Sequence, residues 1–174
     1  MKEPSTDTTP PSVTLEPLRF EHADATFEWL QSEKLRRDFL MRERPVWEQH
    51  TAYFRRLLGD SAQRAYAVYL NGEHVGNCGY KHLDVDQAEG ELWIYVGASN
   101  ARGLGVGRRA TEDMLGRGRR ELGLRTVVLH VAAFNERAIR LYRSLGFEEV
   151  PFEGSADWEQ RDVSIIRMKK EISR

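Results

Sequence analysis

The sequence predicts an α/β fold, a mixed sheet with helices covering its faces. Three observations carry that expectation. Strand-like and helix-like runs alternate along most of the 174 residues, the middle of the chain is a meander of three consecutive strand-like runs, and a glycine-rich turn leads from the last of these into a helix. The length suits one domain with a substantial core, and no internal repeat or linker divides it. Residues 1–12, polar and proline-bearing, are expected to form a disordered leader, and residues 13–174 a single domain.

In order, Val13 to Arg19 reads as a first strand. A long helix is predicted from Glu21 to about Phe39, with Ala23, Phe27 and Leu30 on one face, and Arg36, Arg37, Arg42 and Arg44 cluster around its end. A second helix runs from Pro45, suited to a first turn, to Leu58, with Trp47, Phe54 and Leu58 on its apolar face and Gly59 as its stop. Arg64 to Leu70 and Glu73 to about Asp84 are strands joined by Asn71-Gly72, a hairpin turn whose residues both tolerate positive φ. Gly76 and Gly79 mark a bulge or a close backbone approach. Glu91 to Val96 completes the antiparallel meander. A helix from about Val106 to Leu122 follows; Gly116 and Gly118 inside it, each unfavourable by roughly 1 kcal/mol relative to alanine, predict local weakness. Thr126 to Val131 is a β-branched strand of buried type, and Asn135 to Leu145 a short helix stopped by Gly146. Phe147 to Val150 and Val163 to Lys169 are the final strands.

Composition narrows the function classes. The net charge of -1 gives no nucleic-acid signature. Cys78 is the only cysteine, so no intrachain disulfide or cysteine zinc site can form, and it reads as a small buried residue. No apolar run approaches the ~20 residues of a membrane helix, and the cytoplasm is the default location. No metal-ligating constellation stands out.

The chemistry is concentrated in Arg102-Gly103-Leu104-Gly105-Val106-Gly107-Arg108, between a strand and a helix. Glycines let the backbone approach a ligand closely, free N–H groups point inward, the helix dipole favours an anion, and the flanking arginines add donors. A phosphate-bearing cofactor is implied. The spacing is neither that of the dinucleotide fingerprint nor that of a P-loop, and the upstream meander does not suit a Rossmann unit.

About thirty residues on stands Asn135-x-x-Ala138-x-x-x-Tyr142-x-x-x-Gly146-Phe147. With Arg102-x-x-Gly105-x-Gly107 it closely resembles the acetyl-CoA signature of the GNAT superfamily of N-acetyltransferases, and the element order is similar from about Val13 to Lys169. The resemblance implies a mostly antiparallel, twisted GNAT-like sheet and acetyl-CoA as acetyl donor. It further implies that backbone N–H groups from Gly103 to Arg108 hold the CoA pyrophosphate. Tyr95 and Val96 would pair with pantetheine, with the Val96 N–H polarising the thioester carbonyl, while Asn135, with Ala138 in the same motif, binds the pantetheine arm. The connection from Val96 to Arg102 is one residue longer than the commonest family spacing.

In that family the amine attacks the thioester directly. The chemistry needs a base for the ammonium, a donor for the oxyanion and an acid for the departing thiolate. Tyr142 is the candidate acid, since a phenol titrates near ~10 and holds its proton at neutral pH. Glu91 is the candidate base, directly or through water, and a carboxylate beside Trp93 is expected to have a raised pKa; Glu89 is a weaker alternative. His74, His82 and His130 read as polar or core histidines. Arg140 and Arg143 are within reach of CoA phosphates, but helix-surface arginines are ordinarily solvated, as are Arg117, Arg119 and Arg120.

For the acceptor, a small-molecule amine, the first two helices, middle strands and last loop offer Arg36, Arg37, Arg42, Arg44, Trp47, Tyr80, His82, Trp93 and Trp158. Arginines with aromatics suit a sugar or base carrying phosphate. The run Pro45 to Phe54, with Val75-Gly-Asn77 and Glu91 to Gly97, is similar to the branch acting on nucleotide-linked 4-amino sugars and the neighbouring ribosomal-protein α-amino acetyltransferases. Other amines, including aminoglycosides, a silent CoA-binding regulator, and a monomer or a homodimer joined at a sheet edge remain open at this point.

Overall fold

The structure, a computed structural model, describes residues 10–152 and 163–172. Seven strands form one sheet: β1 (Val13–Pro17), β2 (Arg64–Leu70), β3 (Glu73–Asp84), β4 (Glu89–Val96), β5 (Thr126–Ala132), β6 (Glu148–Val150) and β7 (Ile165–Glu171). Their spatial order is β1-β2-β3-β4-β5-β7-β6. Every neighbouring pair is antiparallel except β4 and β5, which are parallel and joined by a helical crossover. The predicted mixed, mostly antiparallel architecture is thus the one observed.

Five helices cover the sheet: α1 (Ala23–Trp29), α2 (Glu33–Asp38), α3 (Trp47–Gly59), α4 (Val106–Leu122) and α5 (Glu136–Ser144). Val106, Ala110 and Met114 of α4 and Ile139 of α5 join Cys78, Tyr80, Leu92, Val127, Leu129 and Met168 in the main core on one face. On the other face Phe54 and Leu57 of α3 pack with Leu18, Ala23 and Ala67. Alternation along β4 follows: Leu92 joins the main core, while Glu91, Trp93 and Tyr95 point to the opposite side.

The single helix predicted over Glu21 to Phe39 is in fact three pieces, a short 3-10 turn Phe20–His22, then α1 and α2. The break follows from Ser32, whose hydroxyl accepts from the Leu35 N–H (3.3 Å) and caps a new helix. Arg36 then turns back to donate to the carbonyls of Leu30 (2.7 Å) and Gln31 (2.8 Å), groups left unpaired where α1 ends. The expected leader is also shorter at its inner end. Ser12 exchanges hydrogen bonds with Asn71, through its own N–H to Oδ1 (2.9 Å) and from the Asn71 N–H to its carbonyl (2.8 Å); residues 1–9 lie outside the described residues. Asn71 and Gly72 have φ of 51° and 84°, the turn their pair predicts.

Helix α4 runs unbroken through Gly116 and Gly118, against the expected weakness. A Cβ on Gly118 would lie 2.6 Å from the Tyr80 hydroxyl oxygen, and that hydroxyl donates to the Met114 carbonyl (2.8 Å). The glycine makes room for a fully buried tyrosine from β3. A Cβ on Gly116 meets only the flexible Arg120 side chain. Gly118→Ala is therefore expected to destabilise by about 1–3 kcal/mol through overpacking, outweighing its helix-propensity gain, while Gly116→Ala is expected to stabilise by up to about 1 kcal/mol. Urea unfolding of the two variants reads the opposite signs.

Candidate active site

The sheet opens where the chemistry is expected. The parallel pairing of β4 with β5 covers Glu89↔Thr126, Gly90↔Val127 and Glu91↔Val128. Beyond it β4 continues to Val96 and β5 to Ala132 without further pairing, so the two strands diverge. The Gly97 N–H donates back to Val75 of β3 (2.8 Å). Successive N–H groups of a strand alternate sides, so the Val96 N–H faces the gap. That free edge suits an extended ligand arm. A cleft of about 1420 Å³ fills the gap and is lined from both sides by Val96, the glycine turn, Asn135 and Tyr142.

The turn has the conformation its glycines predict. Gly103 and Gly105 have φ of 78° and 77°, and Gly105 caps the N-terminus of α4. A Cβ on Gly105 would enter open space within the cleft wall. The first N–H groups of α4 thus converge on a cavity with the helix dipole behind them, which fits the pyrophosphate of an acetyl-CoA donor. Arg102 lines the cleft, but Arg108 is spent elsewhere: it pairs with Glu112 (3.1 Å) and donates to Ser144 Oγ (2.6 Å), tying α4 to α5. Its backbone N–H alone remains for the ligand. The second cation at the turn is Arg137, whose Nη2 stands 3.9 Å from the Cβ position of Gly103. Arg140 and Arg143 on that helix, expected as solvated surface arginines within reach of CoA phosphates, pair with Glu136 (3.4 Å) and with Glu149. Leu104 is half exposed, so its backbone is what the turn offers.

Asn135, at the start of α5, is its N-cap, accepting from the Ala138 N–H (3.2 Å), and lines the cleft. Tyr142 follows two turns on. Its ring packs edge-on against Phe147 (5.7 Å), its hydroxyl has no hydrogen-bond partner among the described residues, and burial pushes its phenol up to about 12. Tyr95 offers only its backbone, because its phenol is held by Asn77 Nδ2 (2.9 Å) and burial raises it well above the ordinary range. Cys78 is buried and its thiol raised by that burial, which makes it inert.

Glu91 is brought to the mouth of the gap, with the opposite electrostatics to those expected. Burial does push its carboxyl up, but a hydrogen bond from His130 Nδ1 (2.9 Å), the Lys81 ammonium (3.3 Å) and a hydrogen bond from His82 Nδ1 (2.8 Å) overcome it and hold the group at about 2. Trp93 lies across Gly79 instead of desolvating Glu91 alone. Glu89 is occupied by Arg167 (3.4 Å). His74 is kept neutral by burial and bonds Asn77 Oδ1 (2.8 Å) in the core under α1.

Of the acceptor candidates, Arg42, His82 and Trp93 line the cleft. Tyr80 is fully buried in the main core, and Trp47 packs on Phe27 (5.3 Å) away from the cleft. Arg36 caps α1, Arg44 bonds Gln31, and Arg37 stacks on Phe134 (4.7 Å). Trp158 lies outside the described residues. Phe39, Phe134 and Phe152 join the wall unforeseen.

The chain is similar to known acetyltransferases. The profile of the acetyltransferase (GNAT) domain matches residues 12–148. Human alpha/beta-tubulin-N-acetyltransferase 9 is 27% identical over 153 residues, covering 79% of this chain and 73% of that protein. The mycothiol acetyltransferase of Geodermatophilus obscurus is 33% identical over 110 residues, 63% of this chain and 33% of that longer protein. Among solved structures, spermidine N-acetyltransferase from Vibrio cholerae in complex with CoA and spermine superposes with a TM-score of 0.80 at 19% identity, over 91% of this chain and 95% of that one. A domain from Methanocaldococcus jannaschii gives 0.76 at 17% identity, over 92% and 99%. Likeness at this distance establishes the fold.

Proposed function

Because the chain belongs to the GNAT acetyltransferase family, and is therefore an acetyl-CoA-dependent N-acetyltransferase, we propose which residues do the work and which amine receives the acetyl group. Gly103 to Arg108 bind the pyrophosphate through backbone N–H groups, helped by Arg102 and Arg137. The Val96 N–H polarises the thioester carbonyl, Asn135 holds the pantetheine arm, and Tyr142 protonates the leaving thiolate. The acceptor amine approaches from the Glu91 and Trp93 side of the sheet.

We infer that the acceptor is a primary amine at the end of a peptide or protein chain. The observation that supports this is the state of the charges on that wall. Among the described residues the cleft's carboxylates are already engaged: Glu91 receives three donors, Asp38 is paired with Lys34 (2.6 Å) and Glu136 with Arg140 (3.4 Å), so none is left to hold a second ammonium, as a polyamine needs. The wall also carries the aromatic side chains of Phe39, Trp93, Phe134 and Phe152, which suit the side chain beside a terminal amine. The human relative is named for a protein acceptor, tubulin. A second reading is a nucleotide-linked amino sugar. Cationic side chains at the cleft, Lys34 and Arg42 among them, would suit an anionic acceptor, although Lys34 already pairs with Asp38 and Arg36 and Arg44 are engaged within the fold.

The test is thiol release from acetyl-CoA across peptides with free N-termini, UDP- and dTDP-4-amino sugars, aminoglycosides and spermidine. Turnover on peptides is the expected result. Turnover confined to the amino sugars would move the assignment to the second reading, and turnover on spermidine alone would refute the charge argument.

A further inference from the structure

The fold brings two histidines from different strands onto one carboxylate, an arrangement the transfer reaction as described above does not use. His82 Nδ1 lies 2.8 Å from Glu91 Oε2, and His130 Nδ1 lies 2.9 Å from Glu91 Oε1. Glu91 is ionised at any working pH, and an ionised carboxylate only accepts hydrogen bonds. Both imidazoles therefore carry a proton on Nδ1, and in each neutral ring the basic lone pair is on Nε2.

The two rings differ in what Nε2 meets. The His82 side chain is 75% exposed, at a bulge of β3 where its backbone takes a left-handed φ of 51°. His130 is largely enclosed, and its Nε2 is buried without a hydrogen-bond partner among the described residues. A buried acceptor left unmatched is costly, and such groups in native structures commonly await a ligand or a water. Position favours His130 as well. It stands two residues beyond Val128, the parallel partner of Glu91, which carries it ~6–7 Å further along the strand, past the last pairing and into the gap where β4 and β5 diverge. It lines the cleft, with the Phe152 ring packed at 4.7 Å. The charged groups around it are Glu91 from β4, Lys81 and His82 from β3 beyond that carboxylate, and Arg167, its register partner on β7.

We propose that His130 Nε2 is the base that takes the proton of the acceptor ammonium, and that Glu91 is a positioning residue that fixes the imidazole tautomer and holds the resulting imidazolium. The inference rests on the acetyl-transfer reading above and deepens it. The protons balance. The ammonium passes one to His130, which later returns it to solvent. The free amine forms the N–C bond to the thioester carbon. As the C–S bond breaks, Tyr142 protonates the thiolate, and the second proton shed by the nitrogen restores the Tyr142 phenol through solvent, so the products are amide, thiol and one released proton.

The experiment is the pH dependence of kcat/KM for wild type, His130→Gln and Glu91→Gln, with acetyl-CoA affinity measured separately by calorimetry. His130→Gln is expected to lower kcat by about 10²–10⁴-fold, to lose the acidic limb belonging to the enzyme, and to bind acetyl-CoA as before. Its deficit should narrow with an acceptor whose amine is already neutral at assay pH. Glu91→Gln should keep the limb but move it to lower pH, because the imidazolium loses its counter-charge. A His130→Gln enzyme with the wild-type limb overturns the proposal, as does a limb that vanishes or stays unmoved in Glu91→Gln; that second variant decides the matter if the first does not fold. A wild type that acetylates no acceptor overturns the transfer reading and this inference together, whereas an active wild type matched by His130→Gln overturns the inference alone.

Discussion

Tyr142→Phe is expected to lower kcat by about 10²–10³-fold while leaving acetyl-CoA affinity within a few-fold of wild type. The leaving thiolate needs a proton, and the phenol on the cleft wall holds one that nothing else among the described residues engages. Burial pushes that phenol up to about 12. The sign of the consequence is definite. A raised pKa keeps the donor form populated up to that pH, so Tyr142 contributes no alkaline decline in kcat between pH 7 and 10. A phenol left at the ordinary ~10 would begin to lose activity about two pH units earlier. The ring itself packs on Phe147, and phenylalanine preserves that contact, so the fold should be unaffected. Single-turnover measurements separate the chemical step from product release. An unchanged chemical rate in the variant would remove Tyr142 from the acid role.

The second large effect is expected at Gly105. Its φ of 77° costs a residue with a Cβ roughly 1–2 kcal/mol, and the added atoms would occupy the hollow over the first turn of α4. Gly105→Val should raise the dissociation constant for acetyl-CoA by at least about tenfold, with a smaller loss of folding stability. Gly107 is the internal comparison. Its Cβ would make an ordinary contact with Leu141 at 3.7 Å, it lies within the helix, and its φ is not positive. Gly107→Ala should bind the donor almost normally. Equal losses at the two positions would mean that the turn tolerates no change of any kind and that the phosphate-cradle geometry is not what Gly105 supplies.

The parts of this site that were legible in the sequence are those whose signal is local. Asn71-Gly72, Gly103, Gly105 and the Asn135 cap each act within a few residues of themselves, and each adopts the conformation its chemistry predicts. Long-range consequences were not legible. The order of the residues does not show that Lys81, His82 and His130 converge on Glu91, because that depends on the register of three strands and on the bulge after Lys81. The expected electrostatics of Glu91 failed for that reason: hydrophobic neighbours were visible along its own strand, and its cationic neighbours were on other strands. Spacing along a helix does not set Arg137 apart from Arg140 and Arg143, because it does not reveal which acid answers each arginine. Gly118 was read as a helix defect, when its purpose is set by Tyr80 arriving from β3.

The divergence of β4 from β5 has a mechanical consequence. Strands β3 and β4 are joined across seven residue pairs, and so are β5 and β7, but β4 and β5 are stitched across three. The sheet is two stiff plates meeting at a narrow waist, with Glu91 and Val128 as the last stitch. Beneath the waist, α4 and the core it shares with both plates keep them joined. A donor threaded between the plates would touch both, and so would add a second brace across the one seam where backbone hydrogen bonds are few.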